Sequence, residues 1–332
     1  MAKWIDIWPR VRQAVKVSTT PNEAAERISK LRGKDTTWAA VSREWRRQKD
    51  AGNETVSAWD ALRVKSTKVR TRGQKHLVIP DTQVKPGVPL DHFKALGRYI
   101  AEQEPDVVVH LGDHWDMPSL SSYESGTRKA HAGRHKLNDI KAGNKALEVM
   151  EEEMVKAGFQ PQRKVLLEGN HDGFAPHGRI GRYMAETPWD EGLITPDMFA
   201  DSWLGWERYP FLEAVEIDGI KYCHLFPYNR RGQSTMAGMR TGASSAQVQL
   251  SAVGQSCTAG HRQGKETYEQ YRPGGRAHRA IIAGSFYMHD EQYLGPTHYW
   301  KGILVKNGVS ETNPNHYDLM EVSMEWLLKK YK

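Results

Sequence analysis

The chain has 332 residues, of which 39% are hydrophobic and 26% charged, with a formal net charge of +7. That is enough for one large α/β domain with a small appendage and excludes a wholly disordered chain. No apolar run reaches the roughly 18 residues of a membrane span, and Asp6, Pro9 and Arg10 interrupt the apolar start, so a soluble, untargeted, cytoplasmic protein without a membrane partner is expected.

Cys223 and Cys257 are too few for a disulfide framework and too far apart for a CxxC site, which fits buried thiols in a reducing compartment. The positive charge is local. Residues 1–75 carry 18 Lys and Arg against 8 Asp and Glu, and the remainder carries 29 against 32.

Residues 20–50 read as two helices around a short turn. Thr20-Pro21-Asn22-Glu23 has a capping-box pattern with proline at the first helical position, and Ala24, Ile28 and Leu31 recur at helical spacing. Arg32-Gly33-Lys34-Asp35 breaks this helix. A second one, from about Thr37, sets Trp38, Val41 and Trp45 on one face with Arg43 and Arg47 near the other. Residues 1–62 thus form a basic helix-turn-helix-like module, either a nucleic-acid binder or a plain helical hairpin with a solvated charged face. Residues 63–75, with Lys65, Lys68, Arg70, Arg72 and Lys75, form a basic linker and mark a domain boundary.

The larger domain spans residues 76–332. Strand-like runs over 76–80, 106–111 and 164–168 alternate with helical stretches over 90–103 and 136–156, an α/β pattern. The second helix carries Leu137, Ile140, Leu147, Met150 and Met154 near one face. Residues 173–210, rich in Gly, Pro, Trp and Tyr, read as an irregular cap. Shorter strand-like runs follow over 212–217, 220–225, 280–283, 298–305 and 319–322.

Polar residues stand at the ends of these runs. Asp81-Thr82-Gln83 follows the first strand, Gly112-Asp113-His114-Trp115-Asp116 the second and Gly169-Asn170-His171-Asp172 the third. His224 ends a fourth run, and Gly260-His261-Arg262-Gln263 closes the series. Open α/β sheets hold ligands at the carboxyl ends of their strands. In order and spacing these blocks resemble the calcineurin-like metallophosphoesterases, whose five blocks read DxH, GDxxD, GNH(D/E), a lone H and GHxH. The resemblance covers roughly residues 76–324, and within that family it is nearest to phage-encoded phosphoesterases and repair-type nucleases.

The resemblance implies a two-sheet α/β/β/α sandwich, with the C-terminal strand runs forming the second sheet, and a dinuclear site. One metal would take Asp81, Gln83, Asp113 and Gln263, and the other Asp113, Asn170, His224 and His261. A bridging hydroxide would attack phosphorus, His171 would contact the phosphate or protonate the leaving oxygen, and Asp172 would orient its ring. Asp116 would hold the loop around Asp113. Gln83 and Gln263 stand where the family has histidine, both on one metal. An amide oxygen is a harder, weaker donor than imidazole, so Mn²⁺ is expected ahead of Mg²⁺ and of Zn²⁺, with one ion loosely held.

Arg179, Arg182, Arg230, Arg231 and Arg262 are expected to ring the site and bind a polyanionic substrate. Tyr183, Trp189, Trp203, Trp206 and Tyr228 either stack on exposed bases or pack the cap. Nucleic acid, DNA more than RNA, is the expected partner. A phosphomonoesterase, a cyclic-nucleotide phosphodiesterase and a non-catalytic scaffold with a degenerate metal site remain as alternatives.

Overall fold

The computed structural model describes residues 28–30, 73–121, 136–187, 194–227, 245–272, 276–289, 299–310 and 315–331. Residues 28–30 are helical and Ile28 is fully buried; the rest of the N-terminal module and the linker as far as residue 72 lie outside the described residues.

In chain order the elements begin β1 (Gln74–Ile79), α1 (Asp91–Gln103), β2 (Val107–His110), α2 (Lys136–Lys156) and β3 (Arg163–Leu167). Next come α3 (Arg179–Glu186), α4 (Asp201–Leu204), β4 (Glu207–Tyr209), β5 (Val215–Ile217) and β6 (Ile220–Cys223). Then follow α5 (Ala246–Val253), β7 (Cys257–Ala259), β8 (Glu266–Arg272), β9 (Arg276–Ile282), β10 (Gly302–Val309), β11 (Asp318–Ser323) and α6 (Met324–Lys330).

The elements make a mixed α/β structure with two mixed sheets. The first has the order β11-β10-β1-β2-β3-β4, and the second β5-β6-β7-β9-β8. Strands β1 to β4 are parallel; the apolar runs of β1, β2 and β3 fit strands covered on both faces, while the polar, less buried β4 lies at the sheet's edge.

The runs expected over 298–305 and 319–322 do not extend the second sheet. They form β10 and β11, which pair antiparallel along the free edge of β1. The reason lies in their alternation: Ile303 and Val305 join the core under the helices, while Leu304 faces the second sheet. Pairing there also covers an edge that would otherwise expose unbonded backbone.

Each sheet face has its own apolar partner. Leu77, Ile79, Val108 and Leu166 pack with Phe93, Leu96 and Ile100 of α1 and Ile140, Leu147, Met150 and Met154 of α2. Leu137, expected on that face of α2, is 45% exposed in the helix's first turn. Val78, Val109, Val165 and Leu167 point the other way, onto Tyr222, Ile281 and Ala283 of the second sheet. That sheet's far side packs Cys223, Cys257, Ala259 and Ile282 against Ala246 and Leu250 of α5. Each fully buried Leu or Val stabilises this arrangement by about 1.5–3 kcal/mol.

A polar chain crosses between the sheets. Lys306 Nζ donates to Thr258 Oγ1 (2.6 Å) and to the Tyr222 hydroxyl (3.2 Å). The Tyr222 hydroxyl meets His76 Nδ1 at 2.8 Å, and His76 Nε2 meets Asp218 Oδ2 at 2.8 Å. With lysine donating, one proton pattern satisfies the rest: tyrosine O–H to Nδ1, and Nε2–H to the carboxylate.

Among the described residues no helix is long and apolar enough to cross a membrane.

Candidate metal centre

The polar blocks meet where strands of both sheets end. The loop after β1 runs beside the loop after β2, with Gln83 N–H donating to Asp113 O at 2.8 Å and Val84 N–H to His114 O at 2.7 Å. Gly112 turns at φ 99°, and a side chain on Gly169 would overlap the Asp113 carboxylate, so the loops after β2 and β3 approach this closely only with glycine. Gln83 (φ 39°), Asp113 (φ 50°), His261 (φ 66°) and Gln263 (φ 59°) all adopt left-handed backbone. Such strain costs roughly 1–2 kcal/mol per residue and gathers at functional sites.

Asp113, His224 and His261 each offer a ligand atom within 4.8 Å of the others, a buried group that can hold a metal ion. The protons support this. His224 Nδ1 lies 2.8 Å from Leu111 O, which can only accept, so Nδ1 carries the proton. In a neutral ring Nε2 is then a bare lone pair, yet it faces Asn170 Oδ1 at 3.2 Å and Asp113 Oδ2 at 3.4 Å. A neutral His224 ring has no hydrogen to offer either oxygen, so a positive charge belongs there; Asn170 Oδ1 also lies 2.8 Å from His261 Nδ1. Burial opposes a charged His224, but Asp113 and Asp81 push its pKa up to about 10. A divalent cation supplies the same charge without the proton.

The other half of the expected ligand set holds orphans. Asp81 Oδ1 accepts from His261 N–H at 3.0 Å, while its Oδ2 and both amide atoms of Gln83 are buried without a hydrogen-bond partner. Burial first, then the nearby Asp113 charge, raises the Asp81 pKa to about 7. Buried polar atoms left unbonded cost about 1–3 kcal/mol each, and a cation at their centre would relieve that. Gln263 differs, since its Oε1 already accepts from the Tyr287 hydroxyl at 2.7 Å. These donors fit a hard divalent cation.

The roles expected of Asp116 and Asp172 are exchanged. His171 Nδ1 meets Asp116 Oδ1 at 2.7 Å, and Nε2 lies 3.9 Å from Asp113 Oδ2. Asp172 instead accepts backbone N–H groups from His114 (2.8 Å), Trp115 (3.3 Å) and Gly169 (2.6 Å), clasping the loops after β2 and β3. The Asp172 carboxylate is committed to these backbone groups, one of them only three residues earlier, which leaves Asp116 as the partner of the His171 ring.

His110 and His114, unassigned from the sequence, brace the same loops. His114 Nε2 lies 2.9 Å from Gly143 O and must donate to it, so Nδ1 accepts from the Thr82 hydroxyl at 2.8 Å. Thr82 Oγ1 then accepts from His110 Nε2 (3.1 Å), and His110 Nδ1 accepts from Gly112 N–H (3.2 Å). One chain of neutral rings ties Thr82, between two expected ligands, to the loop that carries Asp113. The residue before Gln83 was the signal to follow, and its small hydroxyl gave no sign of that reach.

Of the expected substrate residues, Arg179 donates Nη1 to the Asp116 and Met117 carbonyls at 2.5 and 3.3 Å. Arg182 is exposed on α3, and Arg262 is exposed with Glu266 at 3.4 Å. Arg230, Arg231, Trp189 and Tyr228 lie outside the described residues. Trp203 and Trp206 are buried in the core beneath the helices and Tyr183 packs against it, which settles these three as packing side chains.

No family model matches the chain. Gene 54 protein of Mycobacterium phage L5 is 35% identical over 105 residues, spanning 29% of this chain and 35% of that protein. The chain thus spans about a third of the length of that relative. A solved structure aligns with 75% of this chain and 99% of its own, at 13% identity and a TM-score of 0.34.

Proposed function

We propose that the chain is a metal-dependent phosphodiesterase of the calcineurin-like kind, built as an α/β/β/α sandwich and acting on nucleic acid. The observation that carries this reading is the gathering of ligand atoms from Asp113, His224 and His261 within 4.8 Å of one another, with Asn170 Oδ1 against both rings and the orphaned atoms of Asp81 and Gln83 alongside.

Asp113, Asn170, His224 and His261 would hold one cation, and Asp81, Gln83, Asp113 and Gln263 the other. Two divalent ions would neutralise charge building on phosphoryl oxygens and make water acidic enough to attack at neutral pH. Asp116 holds His171 by Nδ1, so the opposite nitrogen faces the centre and can carry a proton to the leaving oxygen. Asp172 keeps the two central loops in register. The basic N-terminal module would act as a nucleic-acid tether.

The scaffold reading draws support from Gln263, whose oxygen is engaged by Tyr287. Metal-stripped protein given Mn²⁺, Mg²⁺ or Zn²⁺ and offered p-nitrophenyl phosphate, its bis ester, a cyclic nucleotide and an oligonucleotide separates the readings. Manganese-dependent turnover of diesters, with oligonucleotide affinity falling as salt rises, is the expected result. Metal bound without turnover of any ester would leave a scaffold.

A further inference from the structure

Gln83 and Gln263 share one half of the expected ligand set, yet only one of them is held. Both amide atoms of Gln83 are buried with no hydrogen-bond partner among the described residues, whereas Gln263 Oε1 accepts from the Tyr287 hydroxyl at 2.7 Å. A carbonyl oxygen carries two lone pairs, so this bond uses one and leaves the other. Engagement by Tyr287 is therefore compatible with coordination of a cation.

A glutamine needs such help more than a histidine does. Its terminal torsion is broad, its amide presents an oxygen at one end and an NH2 at the other, and only the oxygen can meet a cation. The Gln263 backbone is already set in the left-handed region at φ 59°, which leaves the side-chain torsions to be fixed. Tyr287 is itself immobilised. It is 1% exposed, its ring stacks on His289 with centroids 4.8 Å apart, and Lys301 Nζ lies 4.8 Å from the ring centroid.

The same stretch of chain holds a second expected ligand. Asp81 and Ser285 form a bridge, and Phe286 N–H donates to Asp81 O at 2.8 Å. Residues 285–287 thus grip Asp81 through the backbone and Gln263 through a side chain, although these two follow β1 and β7, strands of different sheets. The Ser285 hydroxyl is buried with no hydrogen-bond partner among the described residues, as are Asp81 Oδ2 and the Gln83 amide.

We propose that Tyr287 is a positioning residue for the second cation, its phenol O–H holding Gln263 so that the remaining lone pair of Oε1 faces the ion shared with Asp81, Gln83 and Asp113. The proposal rests on the two-cation reading and deepens it, because it explains how a glutamine can stand where the family has histidine. An imidazole presents its lone pair from a rigid ring, whereas the amide borrows that rigidity from Tyr287.

The test is calorimetric titration of manganese into metal-stripped full-length protein, with electron paramagnetic resonance to tell coupled from isolated ions. Tyr287→Phe keeps the ring and removes only the hydroxyl, and is expected to weaken the looser manganese by about 10- to 100-fold, abolish the coupled signal and leave the tighter ion unchanged. Adding Gln263→His to Tyr287→Phe is expected to restore the second ion. Unchanged affinity for both ions in Tyr287→Phe overturns the proposal, and so does a parallel loss of both, which would mark a general support of the fold. A double variant no better than Tyr287→Phe overturns it too, since the tyrosine would then act on something other than Gln263. Wild type that binds a single ion yet turns over diesters would remove the positioning role and leave the phosphodiesterase reading. Two coupled ions lost as expected in Tyr287→Phe, with no ester turned over by wild type, would uphold the role and remove that reading.

Discussion

Two regions of polar side chains are buried against the sheets, and only one is complete. In the chain from Lys306 through Tyr222 and His76 to Asp218, each side chain has a hydrogen-bond partner. At the strand ends, Asp81 Oδ2 and the Gln83 amide find nothing, and His224 Nε2 can meet the oxygens it faces only as a charged ring or through a cation. Both regions cost desolvation, but the first is repaid within the protein and the second is not. Unpartnered polar groups gathered beside a cluster of acids and histidines point to a ligand, whereas a satisfied set marks architecture. A histidine beside a carboxylate occurs in each, as His76–Asp218 and His171–Asp116, so composition alone does not separate them.

The largest effect that would break this comparison is expected at Asp113, the carboxylate common to both halves of the ligand set. Against the cost of burial, His171 and His224 hold it well below the usual carboxylate range. Asp113→Asn should abolish manganese uptake measured by elemental analysis, a greater loss than the roughly 10- to 100-fold that outer partners of a metal ligand produce. Full manganese content in this variant would remove Asp113 from the site. Next in size is His171→Ala, expected to lower kcat by about 10²- to 10⁴-fold with metal content intact. Asp116→Asn should give a smaller loss of the same kind, because the ring stays but is less well aimed, and Asp172→Asn should lower thermal stability.

Smaller and more discriminating is a pair of stability changes of opposite sign. Tyr222→Phe keeps the ring under Lys306 and removes only the hydroxyl that serves His76 and Lys306, so unfolding in urea should show a loss of about 1–3 kcal/mol. Gln83→Leu deletes an amide that has no partner, so the metal-free protein should gain stability, by about 1 kcal/mol, while manganese binds more weakly. If both variants lose stability equally, orphan and partnered groups are equivalent here and the argument for a ligand fails.

Much of this was readable beforehand because it depends on local pattern. Continuous apolar runs ending in Gly-Asp and Gly-Asn place β2 and β3 with Asp113 and Asn170 beyond them, and α2 spans the expected residues 136–156. Non-local arrangements were not readable. Strands β10 and β11 alternate just as second-sheet strands would, and only the open edge of β1 decides where they pair. The polar run of β8 (ETYEQYR) hid an edge strand, and three-residue β7 was too short for a periodicity. Asp172 adjoins His171 in sequence and Asp116 lies 55 residues away, so the exchange of their roles needed the folded chain. For Trp203 and Trp206 stacking and packing both stayed open, because nothing local says that Glu151, across the core on α2, accepts the Trp206 indole N–H at 3.0 Å.

The last prediction concerns an orphan whose charged neighbours among the described residues are bases, His289, His114 and Lys301, which separates the two kinds of unpaired group. Both ring nitrogens of His92 are buried without a hydrogen-bond partner, but the ring lies against Phe93 and Phe286, at 4.4 and 5.3 Å. Burial, helped by the charges of His289, His114 and Lys301, lowers its pKa to about 3. Unfolded, the imidazole titrates near its model value of 6.5. Between these values the unfolded chain binds more protons, so the stability present above pH 6.5 drains as pH falls toward 3. Well below 6.5 the loss is about 1.4 kcal/mol per pH unit. Burial also lowers the His76 pKa, which adds a slope of the same sign, so the contribution of His92 must be read by difference. His92→Phe should make the urea midpoint less sensitive to pH between 7 and 5 and be nearly neutral at pH 7. An unchanged slope would mean that His92 gains a partner in solution. A stabilising effect confined to acid pH would show that an orphan without acidic company is tolerated as a neutral ring, unlike His224 among its carboxylates.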